Sequence, residues 1–274
     1  MHYDNYSVLM SVYYKEKAEY LQQALDSIFD QTFLTNDFVL VCDGKLTESL
    51  NEVIEKTRKK YPDIFHVIRL DQNQGLGNAL NIGIKYCKNE LVARMDSDDI
   101  SYSDRCERQI KIFNNMDNVS IVSGTVEEFS SDINIVDSKR VLPENNKNIR
   151  EFAKSRNPFN HPCVMYKKSH VEEAGGYKDF YLLEDYYLWI RMLLKGFEGY
   201  NIQVSLLHMR AGSNMYKRRS GWKYSKSQRY LFKYMKDTKF ITYAQYTKNI
   251  VIRTLSSIAP NSLRKMMFER VLRK

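Results

Sequence analysis

Apolar residues in the first hundred positions fall in short blocks separated by stretches of helical spacing. Residues 7–13 (SVLMSVY), 37–42 (DFVLVC), 66–70 and 91–95 (LVARM) are runs rich in strand formers. Between them, Tyr20, Leu21, Ala24, Leu25, Ile28 and Phe29 recur at helical intervals within 17–33. A second helix is predicted over 47–61, ended by Pro62, and a third over 75–86, opened by a glycine-rich turn. Strand and helix alternating at this spacing predict βαβ units: an α/β fold with a mostly parallel sheet flanked by helices. Ligands of such sheets bind beyond the carboxyl ends of the strands. Asp43, Asp96, Asp98 and Asp99 all follow predicted strands, so one rim is expected to carry all four.

The rest of the chain is less regular. A helix is predicted from Asp104 to Met116 and a strand over 120–125. Residues 127–141 are polar and turn-rich, read as a hairpin, and a short helix follows at 148–154. Two prolines flank Asn160-His161 ahead of a strand at 163–166. Gly175-Gly176 breaks the next helix, another spans 188–194 up to Gly196, and a last strand covers 202–209. Beyond Met215 the pattern is helical, basic and aromatic.

Charge sharpens this division. The 274 residues are 43% hydrophobic and 27% charged, enough for a substantial core. Residues 215–274 hold sixteen Lys and Arg against Asp237 and Glu269, whereas the chain as a whole carries only +9. An acidic body over 1–214 therefore carries a basic aromatic region over 215–274, an asymmetry that points to an anionic partner, lipid or nucleic acid. Trp222, Tyr224, Tyr230, Phe232, Tyr234, Phe240, Tyr243 and Tyr246 interleave with the bases, a composition suited to a lipid headgroup region. No run reaches the ~18 apolar residues of a spanning helix, so a membrane would be met from its surface. Cys42, Cys87, Cys106 and Cys163 form no metal-like spacing and read as free thiols, with Cys42 and Cys163 buried; with a polar start to the chain, this favours a reducing compartment.

The strongest chemical signal is Asp96-Ser97-Asp98-Asp99. Three carboxylates in four residues repel one another, and a hard divalent cation such as Mn²⁺ or Mg²⁺ relieves this while also taking substrate phosphates. The competing reading is a helix cap. Asp43 suits either a base or ribose contact or an Asp-Gly turn. Gly75 and Gly77 open a helix whose amides are placed to approach a pyrophosphate. In 182–191 (LLEDYYLWIR), Glu184 and Asp185 interrupt an aromatic segment, where a carboxylate can take a proton from a reacting hydroxyl, or simply start a helix. Arg191 is spaced to pair with one of those acids. His161 sits in a rigid loop, open to a phosphate or acceptor role or a structural one, and His208 lies in an apolar strand where core is the default.

The ordered set SVLMSVY, VCDG, NQGLGNALN, RMDSDD, HPCVMY and LLEDYYLW, spanning about residues 7–191, resembles family 2 glycosyltransferases of GT-A (Rossmann-like) fold, in the manner of bacterial enzymes that build O-antigen, capsule and exopolysaccharide repeat units. The resemblance implies that Ser11, Val12 and Tyr13 line a nucleotide pocket, with Asp43 at the uracil or ribose. Gly75 and Asn78 would lie beside the nucleotide, and Arg94, Asp96 and Ser97 would join the nucleotide-sugar site. Asp98 would bind Mn²⁺ or Mg²⁺ with Asp99 as a helper, and Asp185 would be the catalytic base. His161, Glu184 and Arg191 are left as acceptor or phosphate contacts. Some relatives add a histidine downstream as a metal ligand; here the stretch reads Arg210-Ala211-Gly212-Ser213, which leaves His208 as the residue to examine. The implied activity is inverting transfer of a hexose, glucose or galactose, from a UDP-sugar to an undecaprenyl-diphosphate-linked N-acetylhexosamine. The enzyme would sit peripherally on the cytoplasmic face of the plasma membrane and bind no nucleic acid. A nucleotidyltransferase would place glycine and basic residues after strand one, where this chain has Tyr14-Lys15-Glu16-Lys17, and would release pyrophosphate rather than UDP. A nucleic-acid-binding protein would leave the aspartates unexplained.

Overall fold

The computed structural model describes residues 2–211 and 222–258. The predicted alternation is present: β1 (Ser7–Val12), α1 (Ala18–Phe29), β2 (Asp37–Cys42), α2 (Glu48–Lys60), β3 (Phe65–Arg69), α3 (Leu76–Ile84) and β4 (Leu91–Asp96). β1 pairs in parallel with both β2 and β4, and β2 with β3. Then follow β5 (Ile100–Ser101), α4 (Arg105–Asn115), β6 (Val119–Phe129), β7 (Ser138–Arg140) and α5 (Asn146–Phe152). A 3-10 turn (His161–Cys163), β8 (Met165–Lys167), α6 (Lys168–Glu173), α7 (Glu184–Leu194) and β9 (Glu198–Arg210) complete the body. One sheet runs β3-β2-β1-β4-β8-β6-β9-β5, with β7 paired to β6. β8 is antiparallel to both neighbours, and β9 is parallel to β6.

Two helical layers sandwich this sheet. α1, α2 and α4 bury Leu21, Leu25, Ile28, Leu50, Ile54 and Phe113 against one face. α3 and α7 bury Leu80, Ile84, Leu188, Trp189 and Ile190 against the other. Alternation along a strand decides which layer a side chain meets. Ala93 and Met95 belong to the first core and Val92 to the second, so Arg94 and Asp96 fall on the α3/α7 side.

Several boundaries differ from the sequence reading for identifiable reasons. α1 stops at Phe29 instead of reaching Phe33, because Gln31 leaves the helix to bridge inward: its Nε2 donates to the Tyr102 carbonyl at 2.7 Å and its Oε1 accepts from the Cys106 N–H at 3.0 Å. β6 continues four residues past Thr125 through two acids. Glu127 is held there by Tyr102, Ser205 and Lys139, each at 2.7 Å, and Glu128 by Ser138 at 2.7 Å. The polar stretch after it does return as the hairpin strand β7. Cys163 lies in the 3-10 turn, not in a strand, and β5 was not anticipated. All four cysteines are buried and free.

The described part of the basic region forms α8 (Trp222–Asp237) and α9 (Tyr243–Ile258). Leu231, Phe232 and Met235 of α8 join the core shared with α7, and Tyr187 meets Tyr234 edge-on at 4.9 Å. Residues 212–221 and 259–274, part of the expected 215–274 region, lie outside the described residues. Among the described residues no helix is long and apolar enough to cross a membrane.

Candidate active site

The parallel strands end level. Ser11 stands opposite both Val41 and Asp96, and Val12 opposite Cys42. One rim therefore receives the loops after β1, β2 and β4. On it the carboxylates of Asp96, Asp98 and Asp99 lie within 4.8 Å of one another. Burial, then the nearby Asp96 and Glu16 charges, push the Asp98 carboxyl up to about 7. Burial and Asp98 hold Asp99 well above the usual carboxylate range. Asp99 Oδ2 is buried with no hydrogen-bond partner in the structure. An acidic cluster under this strain, with an orphaned buried oxygen, has the hard oxygen donors a divalent cation requires.

The surrounding residues hold the cluster in place. Arg94, 1% exposed, donates through Nη2 to Asp96. Arg105 braces the same strand by donating to the Arg94 carbonyl at 2.7 Å. Ser97 Oγ donates to Glu16 at 2.9 Å and ties the cluster to the loop after β1. Arg210, at the end of β9, closes the far side: its backbone N–H donates to Asp99 Oδ1 at 2.8 Å and its Nε to the Asp98 carbonyl at 3.0 Å. Its guanidinium lies 3.8 Å from the Tyr20 ring centroid and 4.6 Å from that of Phe129. Sequence reading passed over Arg210 because it sought a histidine there. His208 stacks on Tyr102 at 4.4 Å, is held below its ordinary pKa by burial, and is not among the three clustered acids.

The second wall is the start of α7. Its register puts Glu184 and Asp185 in the first turn, four residues earlier than the predicted helix. Glu184 stands close to Gly77 at the head of α3; a Cβ on that glycine would lie 3.5 Å from Glu184 Cβ. Burial, then Asp185, push Glu184 up to about 7, with Arg94 and Asp96 also felt there. Glu184 is thus near enough to the Arg94–Asp96 pair to feel both charges. Asp185 accepts from Asn157 Nδ2 at 2.5 Å and from the Tyr186 N–H at 2.7 Å. Asn157 Oδ1 in turn accepts from the Phe159 N–H at 3.4 Å. Asn157 was not singled out from the sequence; its one signal was its place before Pro158 in the proline-rich loop.

Several of the expected site residues have partners within the fold. Asp43, 3% exposed, spends its carboxylate on the following loop, accepting from Gln74 N–H at 2.7 Å, Gly75 N–H at 3.0 Å and Asn73 Nδ2 at 3.0 Å. It anchors that loop, and the Gly75 amide expected to approach a pyrophosphate is already occupied by it. Gly44 permits the close approach, since a Cβ there would sit 2.7 Å from the Asn73 nitrogen. Arg191 pairs with no acid of α7; it is buried, and donates to the Ala174 carbonyl and, at 2.6 Å, to that of Gly176. His161 is buried beneath the cleft, 3.0 Å from the Tyr177 hydroxyl, and burial and then Arg94 keep its pKa well below the ordinary value. Val12 points into the α1 core, leaving the half-buried Ser11 and the exposed Tyr13 on the rim. Asn78 is exposed at the head of α3 and donates to the Gln74 carbonyl at 3.0 Å.

The raised Asp98 predicts a pH signature. A carboxyl whose pKa climbs on folding, here from 3.8 to about 7, binds more protons when folded, so its contribution to stability falls as pH rises between those values. In chelator, Asp98→Asn should therefore raise the melting temperature more at pH ~7.5 than at pH ~5.5, read by differential scanning fluorimetry. An advantage equal at both pH values would contradict it.

Comparison with known proteins agrees with the fold. The family model described as Glycosyl transferase family 2 matches residues 7–175. The amylovoran biosynthesis glycosyltransferase AmsE of Erwinia amylovora is 37% identical over 97% of this chain and 98% of its own. A UDP-Gal:alpha-D-GlcNAc-diphosphoundecaprenol beta-1,3-galactosyltransferase of Escherichia coli is 37% identical over 98% of this chain and 97% of its own. Among solved structures, S. aureus TarS in complex with UDP-GlcNAc superposes with a TM-score of 0.71 at 16% identity, covering 97% of this chain and 76% of that one. The mannosyltransferase PcManGT of Pyrobaculum calidifontis, in complex with GDP-Man and Mn²⁺, gives 0.64 at 14%, over 97% and 79% of the two chains. With its rim of aspartates at the ends of parallel strands and its acid-headed α7 opposite, this chain belongs to the family 2 glycosyltransferases of GT-A fold.

Proposed function

We propose that the enzyme transfers a hexose, galactose or glucose, from a UDP-sugar to an N-acetylhexosamine carried on undecaprenyl diphosphate, with inversion, during bacterial surface polysaccharide synthesis. It would work from the cytoplasmic face of the plasma membrane. The observation that carries this reading is the clustering of the Asp96, Asp98 and Asp99 carboxylates within 4.8 Å of one another at the strand ends, with the Glu184-Asp185 head of α7 near enough for Glu184 to feel the Asp96 charge. The activity of the Escherichia coli relative, galactosyl transfer from UDP-Gal to GlcNAc-diphosphoundecaprenol, supports the substrate class.

In this reading Asp98, with Asp96 beside it, would hold Mn²⁺ or Mg²⁺, and Asp99 would add to the negative field. When bound, such a cation offsets the charge that grows on the departing diphosphate. Arg94 fixes the Asp96 carboxylate, and Arg210 and Ser97 keep the loop from swinging away from the rim. Ser11, Tyr13 and the Asp43-anchored loop with Asn78 border the nucleotide. Asp185 takes the proton from the acceptor hydroxyl. That oxygen bonds to the anomeric carbon on the face opposite the breaking diphosphate bond, so an α-linked UDP-hexose yields a β-glycoside. Glu184, whose carboxyl burial and then Asp185 push up to about 7, is suited to donate a hydrogen bond to a sugar oxygen when protonated.

Asn157 fixes the rotamer of the base without being able to accept its proton. Asn157→Ala should lower kcat about tenfold with little change in donor KM, whereas Asn157→Asp, which sets a second carboxylate against Asp185, should lower it further. Equal kcat in wild type and both variants would remove Asn157 from the mechanism. The function as a whole is tested by a donor screen with Mn²⁺ and synthetic GlcNAc- and GalNAc-diphosphate lipids, reading the product linkage by NMR. Release of UDP with a β-linked hexose is expected; no transfer from any UDP-sugar would defeat the reading.

A further inference from the structure

We propose that the exposed face of α8 is a docking surface for an anionic bilayer, and that it sets the acceptor side of the active site against that surface. The proposal rests on the lipid-linked acceptor argued above. Lys223, Lys226, Arg229 and Lys233 recur at three- and four-residue intervals with Trp222 and Tyr230 among them, all exposed. Leu231, Phe232 and Met235 are turned into the α7 core. The outward stripe carries no acid before Asp237.

Two physical features argue against a merely solvated face. Like charges three and four apart on a helix repel one another and destabilise it, whereas a solvated helix gains from alternating signs. Four cations in line tolerate this when an anionic surface receives them. Trp222 is 72% exposed and Tyr230 55%, and such rings favour the headgroup layer, where an apolar body and a polar edge are both satisfied. Nucleic acid would attract the cations equally but gives no account of an acceptor held in lipid. The face also has a defined position. Lys223 Nζ lies 4.2 Å from the centroid of the Tyr181 ring, three residues before Glu184, so the stripe starts beside the segment that leads into α7. Tyr187 on α7 packs against Tyr234 of α8, coupling the stripe rigidly to the helix that carries Asp185.

The test is co-sedimentation of the full-length protein with neutral phosphatidylcholine vesicles and with vesicles containing phosphatidylglycerol, in the absence of donor and acceptor. Binding is expected only to the anionic vesicles, weakening as salt rises from ~0.05 to ~0.5 M. The triple variant Lys226→Gln, Arg229→Gln, Lys233→Gln should bind about 100-fold more weakly, from about fivefold per charge, and Trp222→Ser should weaken binding further. Turnover of a water-soluble, short-chain acceptor should be unchanged in the triple variant, with its circular dichroism intact. Equal binding to neutral and anionic vesicles, salt-insensitive binding by the wild type, or a folded triple variant that binds like wild type would each overturn the proposal. So would binding of the protein to a nucleic-acid duplex under conditions where neither kind of vesicle holds it. Because vesicle binding is measured without turnover, its failure is distinct from failure of the active-site reading, which Asp185→Asn tests alone.

Discussion

Asp185→Asn is expected to lower sugar transfer by about 10³-fold while UDP binding stays within about twofold of wild type, because a positioned general base contributes ~10²–10⁴ and binding of the nucleotide does not depend on it. The substitution preserves size and leaves an amide oxygen to accept from Asn157, at the expense of the bond from the Tyr186 N–H, which then faces an amide nitrogen. What it removes is an atom basic enough to receive the acceptor proton. In the proposed reading the nucleotide borders β1 and β4 rather than α7, and so has no direct stake in that atom. Initial rates with labelled donor, set beside calorimetric titration with UDP, separate the two effects. Near-normal turnover would take Asp185 out of the reaction; a parallel loss of UDP affinity would make it a binding residue.

The second large effect is expected at Asp98. Its carboxyl is raised to about 7 by burial and by its acidic neighbours, which means the site as built strains against its own charge. A cation relieves that strain, so metal binding and deprotonation are linked. Asp98→Asn should cost about 10²–10³ in kcat, the scale of removing one electrostatic stabiliser from a transition state. The wild type in chelator should fall equally and recover on adding Mn²⁺, while the variant should not recover. Full transfer by the wild type in excess chelator would end the metal assignment. Asp99 is not the better probe, because its Oδ1 also accepts the Arg210 N–H and its loss would disturb the loop as well as the charge.

The parts of this enzyme that were legible from the sequence are those in which local pattern and global fold agree. The βαβ half announced itself through period-two and period-3.6 apolar spacing, and strand ends alone placed Asp96, Asp98 and Asp99 together on one rim. Long-range contacts were not legible. Arg191 and Glu184 lie on one short helix, yet one is buried against carbonyls of the Gly175-Gly176 turn and the other faces Gly77 of α3. Nothing in their spacing distinguishes them. Asp43 was correctly placed at a strand end, but its partners lie thirty and more residues on, and only the fold shows that the loop consumes both its oxygens. Asn157 and Arg210 act through hydrogen bonds to residues far away in the chain, with no periodic signature to reveal them.

The placing of Arg94 and Asp96 on the same side of β4 bears on how this enzyme can change. Side chains alternate along a strand, so inserting or deleting one residue upstream in β4 would send both into the α1/α4 layer and bring Ala93 or Met95 to the reaction cleft. Such a step is ruinous without altering a single active-site residue, whereas the loops above the rim can lengthen or shorten freely. Diversification toward new sugars is thereby confined to the loops, and the strand beneath is frozen in phase.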